Sequence, residues 1–340
     1  MALTMVAHTI PSALQEVSAP ITTNGEPLLN RPYAMAMITS RTSALSPPCR
    51  SLVRKVEKQE VPNVEYKCSI SPLRPELSVA GKTIVVIGGG SGIGRETALA
   101  FATAGAAHVA LLGRTEATLK ETAALIPSAG KASSSVHVSD LTQAASLKTA
   151  AAAVGEWHVL VLASAYCSNR APVASSEVDD WWKGFETNIK GTLLAAQAFL
   201  PTAHPSQAAI LGVTTDVSLM PTTYLPGLSS YVASKLAQAK VYEFLAAENP
   251  NIFVATIYPG MVETDNFRRT GGKAEKLPMD TVQLPAHFIV WMASPEATFL
   301  RGRCAWANWD VDELKAKKDK ILEGLFMTAG FKGLPEGAHL

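Results

Sequence analysis

Thr83-Ile84-Val85-Val86-Ile87-Gly88-Gly89-Gly90-Ser91-Gly92-Ile93-Gly94-Arg95 is an apolar run that breaks into glycines and resumes as a helix. Thr83 to Ile87 are aliphatic or β-branched and read as a strand covered on both faces, while Arg95 to Ala104 read as a helix. Glycines between the two let the backbone approach a pyrophosphate closely, and the N-terminus of the following helix faces its negative charge. A merely flexible turn requires neither flanking element, so the context lifts this segment above a lone glycine match. It predicts a dinucleotide-binding βα unit in which Gly88, Ser91, Gly92, Ile93 and Gly94 meet the phosphates.

Working outward, further strand-like runs follow at His108–Leu112, Ser135–Val138, Trp157–Leu162, Ala208–Val213, Ile252–Ile257 and Arg303–Ala307, separated by helical stretches. Such alternation predicts an α/β, doubly wound Rossmann fold with a parallel sheet of about seven strands, covered on both faces. Before it, residues 1–75 are rich in Ser, Thr and Pro with weak periodicity, and read as a low-order extension. Its first 55 residues hold Arg31, Arg41, Arg50 and Arg54 against only Glu16 and Glu26, a faint hint of an organelle import signal. Because Glu16 interrupts the most helical portion, an untargeted tail on a cytoplasmic protein is the preferred reading. The division is thus 1–75 extension, 76–310 catalytic domain, and 311–340 a tail whose helix opens on Asp310-Val311-Asp312-Glu313 and reaches about Leu325.

The chain has 340 residues, of which 47% are hydrophobic, enough for a sizeable core. Thirty basic against 29 acidic residues leave a formal charge of +1, which lacks the basic footprint of a nucleic-acid partner. No run reaches 18 apolar residues, so no membrane span is expected. Cys49, Cys68, Cys167 and Cys304 show no CxxC spacing and no His/Cys cluster, so the reading is reduced thiols and no metal.

Ser230-Tyr231-Val232-Ala233-Ser234-Lys235 carries the second chemical signal. Positions i and i+4 share one helix face, so the Lys235 ammonium can favour the ionised Tyr231 phenol. A free tyrosine titrates near ~10, and that charge would draw it towards the working range of a general acid/base at a carbonyl or carbinol. At the end of the second strand, where an acid would take the ribose 2′-hydroxyl of NAD, the chain has Gly113 and then Arg114. An arginine there suits the 2′-phosphate of NADP(H), with Arg95 placed to assist.

With the glycine loop, Tyr231-xxx-Lys235 and Pro259-Gly260-Met261-Val262-Glu263-Thr264 in this order, residues from about Leu73 to Asp310 resemble a short-chain dehydrogenase/reductase. The stretch Ala305–Lys315 is similar to filamentous-fungal members, which would place a ketone of secondary metabolism among the substrates. The resemblance implies NADPH-dependent carbonyl reduction or the reverse alcohol oxidation, and a homo-oligomer with a dimer surface on the Tyr231 helix. It makes Tyr231 the proton donor and Lys235 a ligand of the nicotinamide ribose. Asn188 supports a relay water, Asp140 followed by Leu141 meets the adenine amino group, and Thr264 holds the carboxamide.

The carbonyl-polarising hydroxyl stays open between two residues. Ser218 lies thirteen positions before Tyr231, the family's separation, whereas Thr215 stands at the strand's C-terminal end. The count favours Ser218; an insertion within Leu219–Leu225 makes it Thr215. Two departures stand out: Ile87 replaces the threonine that opens the family's glycine loop, and Leu162-Ala163-Ser164-Ala165 replaces Asn-Asn-Ala-Gly. Lost amide hydrogen bonds there are expected to weaken cofactor binding. They also support a rival reading, a non-catalytic NADP(H)-binding regulatory protein of the same fold. Met220, Pro221, Tyr224, Leu225 and Phe267 would form an apolar substrate wall suited to a hydrophobic ketone or secondary alcohol, and Arg268, Arg269 and Lys273 a solvated lid.

Overall fold

Seven short segments pair into one parallel sheet: β1 (Thr83–Ile87), β2 (His108–Gly113), β3 (Ser133–Val138), β4 (Val159–Leu162), β5 (Ala209–Val213), β6 (Phe253–Tyr258) and β7 (Cys304–Trp306). The structure, a computed structural model, describes residues 69–330. Strand order is β3-β2-β1-β4-β5-β6-β7 with every pairing parallel, the doubly wound arrangement that the alternating sequence predicts. Order reverses between β1 and β4, and in such sheets ligands bind beyond the carboxyl ends at that point.

Parallel strands are buried on both faces, and β1 shows how alternate residues serve two cores. Ile84 and Val86 join Phe101 of helix α1 (Gly92–Thr103) and Phe288 and Trp291, which lie on a later helix, in one apolar cluster. Val85 and Ile87 join Leu147, Phe199 and Tyr242 in another. Three further helices precede the site: α2 (Glu116–Ala129), α3 (Ala144–Val154) and α4 (Val178–Phe185). A π-helical turn, Glu186–Lys190, leads into α5 (Gly191–Phe199). After it come α6 (Ser229–Glu248), α7 (Asp265–Arg269), α8 (Gln283–Met292), α9 (Val311–Ala316) and α10 (Lys318–Leu322).

Several boundaries differ from the sequence reading, three of them for reasons the structure shows. β3 starts two residues early, at Ser133, because an edge strand needs no apolar faces: His108 bonds the hydroxyls of Ser133 and Ser135 at 2.8 Å each. The C-terminal helix is two short ones that break at Lys317, although its start is capped by Asp310, which accepts from the Asp312 and Glu313 N–H groups. Residues 69–75 pack on the domain rather than with the extension: Ile70 is buried, and Arg74 bonds Glu296 at 2.7 Å. A single apolar residue and a single arginine have no periodicity by which a sequence could announce them. The remainder of the extension, with Cys49, Cys68 and its arginines, lies outside the described residues, as do residues 331–340. Among the described residues no helix is long and apolar enough to cross a membrane.

Trp157 is fully buried and donates its indole N–H to the Phe199 carbonyl at 2.8 Å, tying the segment just before β4 to α5. Trp157→Ala removes the largest side chain of that core, so denaturant titration should show a loss of roughly 3–5 kcal/mol. A loss below about 1 kcal/mol would contradict the packing described.

Candidate active site

The glycine loop is shaped by close backbone contact. Gly88 sits at φ +91° and donates to the Leu112 carbonyl at 2.8 Å, and Gly92 sits at φ +50°. A Cβ on Gly94 would lie 2.1 Å from the Gly88 carbonyl oxygen, so only glycine lets α1 start so near β1. Ser91, in extended conformation, precedes the helix with its side chain uncommitted to capping, and Ile93 turns into the core. Arg95 braces the loop from below, bonding the Gly90 carbonyl at 2.6 Å, the Thr122 hydroxyl at 3.0 Å and the Glu121 carboxylate at 2.9 Å. Its guanidinium is therefore committed to structure. Arg114, by contrast, is exposed just past β2 and makes no ion pair among the described residues. An open loop of glycines at a helix N-terminus, with a free cation beyond the adjacent strand, fits a dinucleotide.

Other sequence-selected residues converge on that loop. Thr264 caps α7 by accepting from the Phe267 N–H at 3.1 Å, and its methyl group lies 3.2 Å from where a Gly92 Cβ would be. Asp140 accepts from the Thr142 N–H and hydroxyl at 2.9 and 2.8 Å through one oxygen. Leu141 is buried against Gly191, the first residue of α5.

Tyr231 and Lys235 lie in α6, buried. Burial pushes the Tyr231 phenol up, a nearby Cys167 adds to this, and side-chain hydrogen bonds with Thr215 and Asn266 act the other way. Lys235 donates to the Val213 carbonyl at 2.8 Å and to Gln238 Oε1 at 2.9 Å, and its desolvation lowers it to about 7. Burial dominates the Tyr231 shift, ahead of every charge and hydrogen bond acting on it.

Asn188, fully buried in the π-helical turn, accepts from the Tyr166 N–H at 2.9 Å and donates to the Tyr166 carbonyl at 3.0 Å and the Ser234 hydroxyl at 2.9 Å. It thus ties the loop after β4 to α6. Such π-helical turns concentrate at functional sites because they re-aim one side chain.

The two candidate hydroxyls separate by environment. Thr215 is the one beside the Tyr231 phenol; Ser218 donates to the Thr215 carbonyl at 2.8 Å and sits by the Tyr258 phenol instead. Two short 3-10 turns, Asp216–Leu219 and Thr222–Tyr224, lie in the segment between Thr215 and Tyr231. Sequence reasoning missed Asn266, Cys167 and Gln238, which come within reach of the pair, and Tyr166, which Asn188 holds; only Asn266 carried a signal, two residues after Thr264.

Ile87 and Leu162 are register partners across β1 and β4, both buried in one cluster. Ile87 and the first position of the other departure, Leu162, therefore share one apolar cluster. Of the wall residues, Met220 and Tyr224 are exposed and Leu225 packs beside Tyr231. In the lid, Arg268 bonds Asp265 at 2.7 Å and Glu263 at 3.3 Å, and Arg269 lies over the Tyr166 ring, 5.3 Å from its centre. Arg170 straps the segments at Pro226 and Thr270 together, donating to their carbonyls at 2.7 and 3.4 Å.

Comparison with known proteins bears on these residues. The short chain dehydrogenase family matches residues 82–274. A protein of Claviceps purpurea described as a short chain dehydrogenase/reductase is 38% identical over 262 residues, covering 74% of this chain and 86% of that protein. A short chain dehydrogenase of Monascus purpureus is 33% identical over 254 residues, covering 72% and 86%. Among solved structures, a putative short chain dehydrogenase from Pseudomonas syringae aligns with TM-score 0.63 at 26% identity, covering 69% of this chain and 97% of that one.

The depressed Lys235 has a measurable consequence for stability. Unfolded, the lysine binds a proton up to its ordinary 10.5, whereas folded it releases it near 7, so between those values the unfolded state holds more protons and stability rises with pH. Above about 9 the buried thiols Cys167 and Cys304, raised to about 11 and about 12, act in the opposite sense. The window is therefore pH 7–9. Lys235→Met should flatten the rise of unfolding free energy across it, measured by denaturant titration; parallel curves for the two proteins would contradict a desolvated lysine.

Proposed function

The chain belongs to the short chain dehydrogenase family, and from that premise we propose that it is an NADP(H)-dependent carbonyl reductase, or in reverse an alcohol dehydrogenase, for a hydrophobic ketone or secondary alcohol. The observation that carries this reading is the convergence of two hydroxyls, Tyr231 and Thr215, one turn of helix from a buried Lys235. When bound, the nicotinamide cofactor supplies the hydride in reduction and takes it back in oxidation. Tyr231, kept protonated by burial, gives its proton to the substrate oxygen, and Thr215 donates a hydrogen bond to that oxygen as charge develops on it. Asn188 holds the loop at Tyr166 against α6, and Thr264 closes the cleft over Gly92.

Gly88, Ser91, Gly92 and Gly94 would cradle the pyrophosphate, Ile93 and Arg95 supporting them from beneath, and Asp140 with its uncommitted oxygen would face the adenine. Arg114 supports NADP(H) over NAD(H) because a free guanidinium matches a phosphate dianion through charge-assisted, bidentate hydrogen bonds. The apolar side chains at Met220, Leu225 and Phe267 favour a hydrophobic substrate, and a ketone of secondary metabolism falls in that class. Lid charge argues little for an anionic one, since Arg268 is already paired with Glu263 and Asp265. Leu193, Leu236 and Phe244 on α5 and α6 are exposed, apolar area that a homo-oligomer would cover.

The direct experiment follows NADPH oxidation by absorbance with aliphatic, aromatic and polycyclic ketones. Tyr231→Phe should lower kcat by about 10²–10⁴ with cofactor affinity nearly unchanged. Thr215→Ala should cost about 10²–10³ in kcat, and Ser218→Ala only a few-fold. Equal turnover in Tyr231→Phe and the native chain would sink the reading, and a larger loss in Ser218→Ala would restore the thirteen-residue count. Arg114→Asp should move preference from NADPH towards NADH; unchanged preference would mean that another group meets the phosphate.

A further inference from the structure

Behind the reactive pair, three buried side chains form a continuous hydrogen-bonded chain that ends on the backbone carbonyl of Asn188. Lys235 donates to Gln238 Oε1 at 2.9 Å, and Gln238 Nε2 donates to the Thr192 hydroxyl at 2.8 Å. Thr192 in turn donates to the Asn188 carbonyl oxygen at 2.8 Å. We propose that Gln238 is a positioning residue of the hydride-transfer site, holding the Lys235 Nζ in place and favouring its ammonium form; this rests on the catalytic reading above.

Donor and acceptor counting fixes the orientation of the amide. The Thr192 proton is committed to Asn188, so Thr192 can only accept from Gln238, and Gln238 must therefore turn its NH₂ to Thr192 and its oxygen to the lysine. Asn188, Thr192, Lys235 and Gln238 are all buried, so no solvent competes for these bonds. An ammonium has three N–H groups; Val213 and Gln238 take two, leaving one for the cleft. The two oxygens oppose the desolvation that lowers Lys235, because hydrogen bonds to a charged form favour it. An amide does not hand on protons readily, so the chain fixes the lysine rather than relaying from it.

The titratable neighbours come from three elements. Cys167 after β4 and Asp216 after β5 act on Tyr231, and Tyr242, one turn beyond Gln238 in α6, lies beside Thr192. None of them is among the causes of the Lys235 shift, which is burial alone. That leaves the Gln238 oxygen as the one side-chain acceptor whose chemistry can be changed without adding or removing a neighbouring charge.

The test uses the full chain with lysine labelled in ¹³C and ¹⁵N, following the Lys235 side-chain signal against pH and assigning it through Lys235→Met. Gln238→Met keeps the length and removes the acceptor, and should lower the titration midpoint by about one unit. Gln238→Glu keeps the acceptor and adds charge, and should raise the midpoint by about one unit or more. In alcohol oxidation the rising limb of kcat against pH should move in the opposite direction to the lysine midpoint. A weaker ammonium stabilises the tyrosinate less, so the limb goes to higher pH in Gln238→Met and to lower pH in Gln238→Glu. Unmoved midpoints would overturn the proposal and leave Gln238 a packing residue. Should Gln238→Met fail to fold, the midpoint in Gln238→Glu decides alone. If the native chain oxidises no alcohol, the lysine titration still decides the role of Gln238, so that failure falls on the proposed function only.

Discussion

The close approach of α1 to the end of β1 is the constraint on which the rest depends. With 2.1 Å between the Gly88 carbonyl oxygen and any Cβ at position 94, the helix can start where it does only on a bare backbone. That start fixes the first free N–H groups of α1 beside the β1–β4 gap, where the strand order reverses. It also determines what can lie above, for Thr264 rests its methyl group on Gly92 and the lid segment departs from there. Arg95 then secures the arrangement from below, tying the loop carbonyl of Gly90 to Glu121 and Thr122 of α2. Loop, first helix and lid are thus one mechanical unit, and an error of an ångström at Gly94 would reach all three.

Burying a lysine is the second commitment. An ammonium taken out of water costs several kcal/mol unless hydrogen bonds replace its hydration. Here the replacements are the β5 carbonyl of Val213 and the side chain of Gln238. The Val213 carbonyl is the last of its strand, so the lysine reports directly on the position of β5, whose next residues carry Thr215. Lys235, Thr215 and Tyr231 are in this way aligned by one strand end and one helix, without a loop intervening between Lys235 and Tyr231.

Legibility in the sequence followed the range of the interaction. The glycine loop, the helix carrying Tyr231 and Lys235, and the alternation of strands and helices are local patterns, and the sheet forms as they indicate. The choice between Thr215 and Ser218 was not local. It depends on how residues 216–230 fold, and two 3-10 turns lie in that link. The tyrosine's environment was hidden for a related reason: spacing places Lys235 on the same helix face, yet the effect of burial on the phenol depends on Cys167, Thr215 and Asn266, which arrive from three other segments. Gln238 was invisible because a glutamine three residues past a lysine in a helix ordinarily faces water.

Ile87 and Leu162 show how a departure from a pattern is better judged in space than along the chain. Taken singly, each removes a polar side chain where the family's members have one, and each invites the expectation of a weakened strand junction. Paired across β1 and β4, they bury two large aliphatic side chains in the core cluster shared with Phe199 and Tyr242. Full burial of such a side chain contributes about 1.5–3 kcal/mol, against about 0.5–1.5 kcal/mol net for a typical hydrogen bond. Apolar packing therefore offsets what the lost hydrogen bonds contributed to the junction, and the backbone bond from Ala163 N–H to the Ile87 carbonyl, at 2.9 Å, remains. The β1–β4 gap keeps its geometry with a different chemistry beneath it, so the departures weigh less against catalysis than their number suggests.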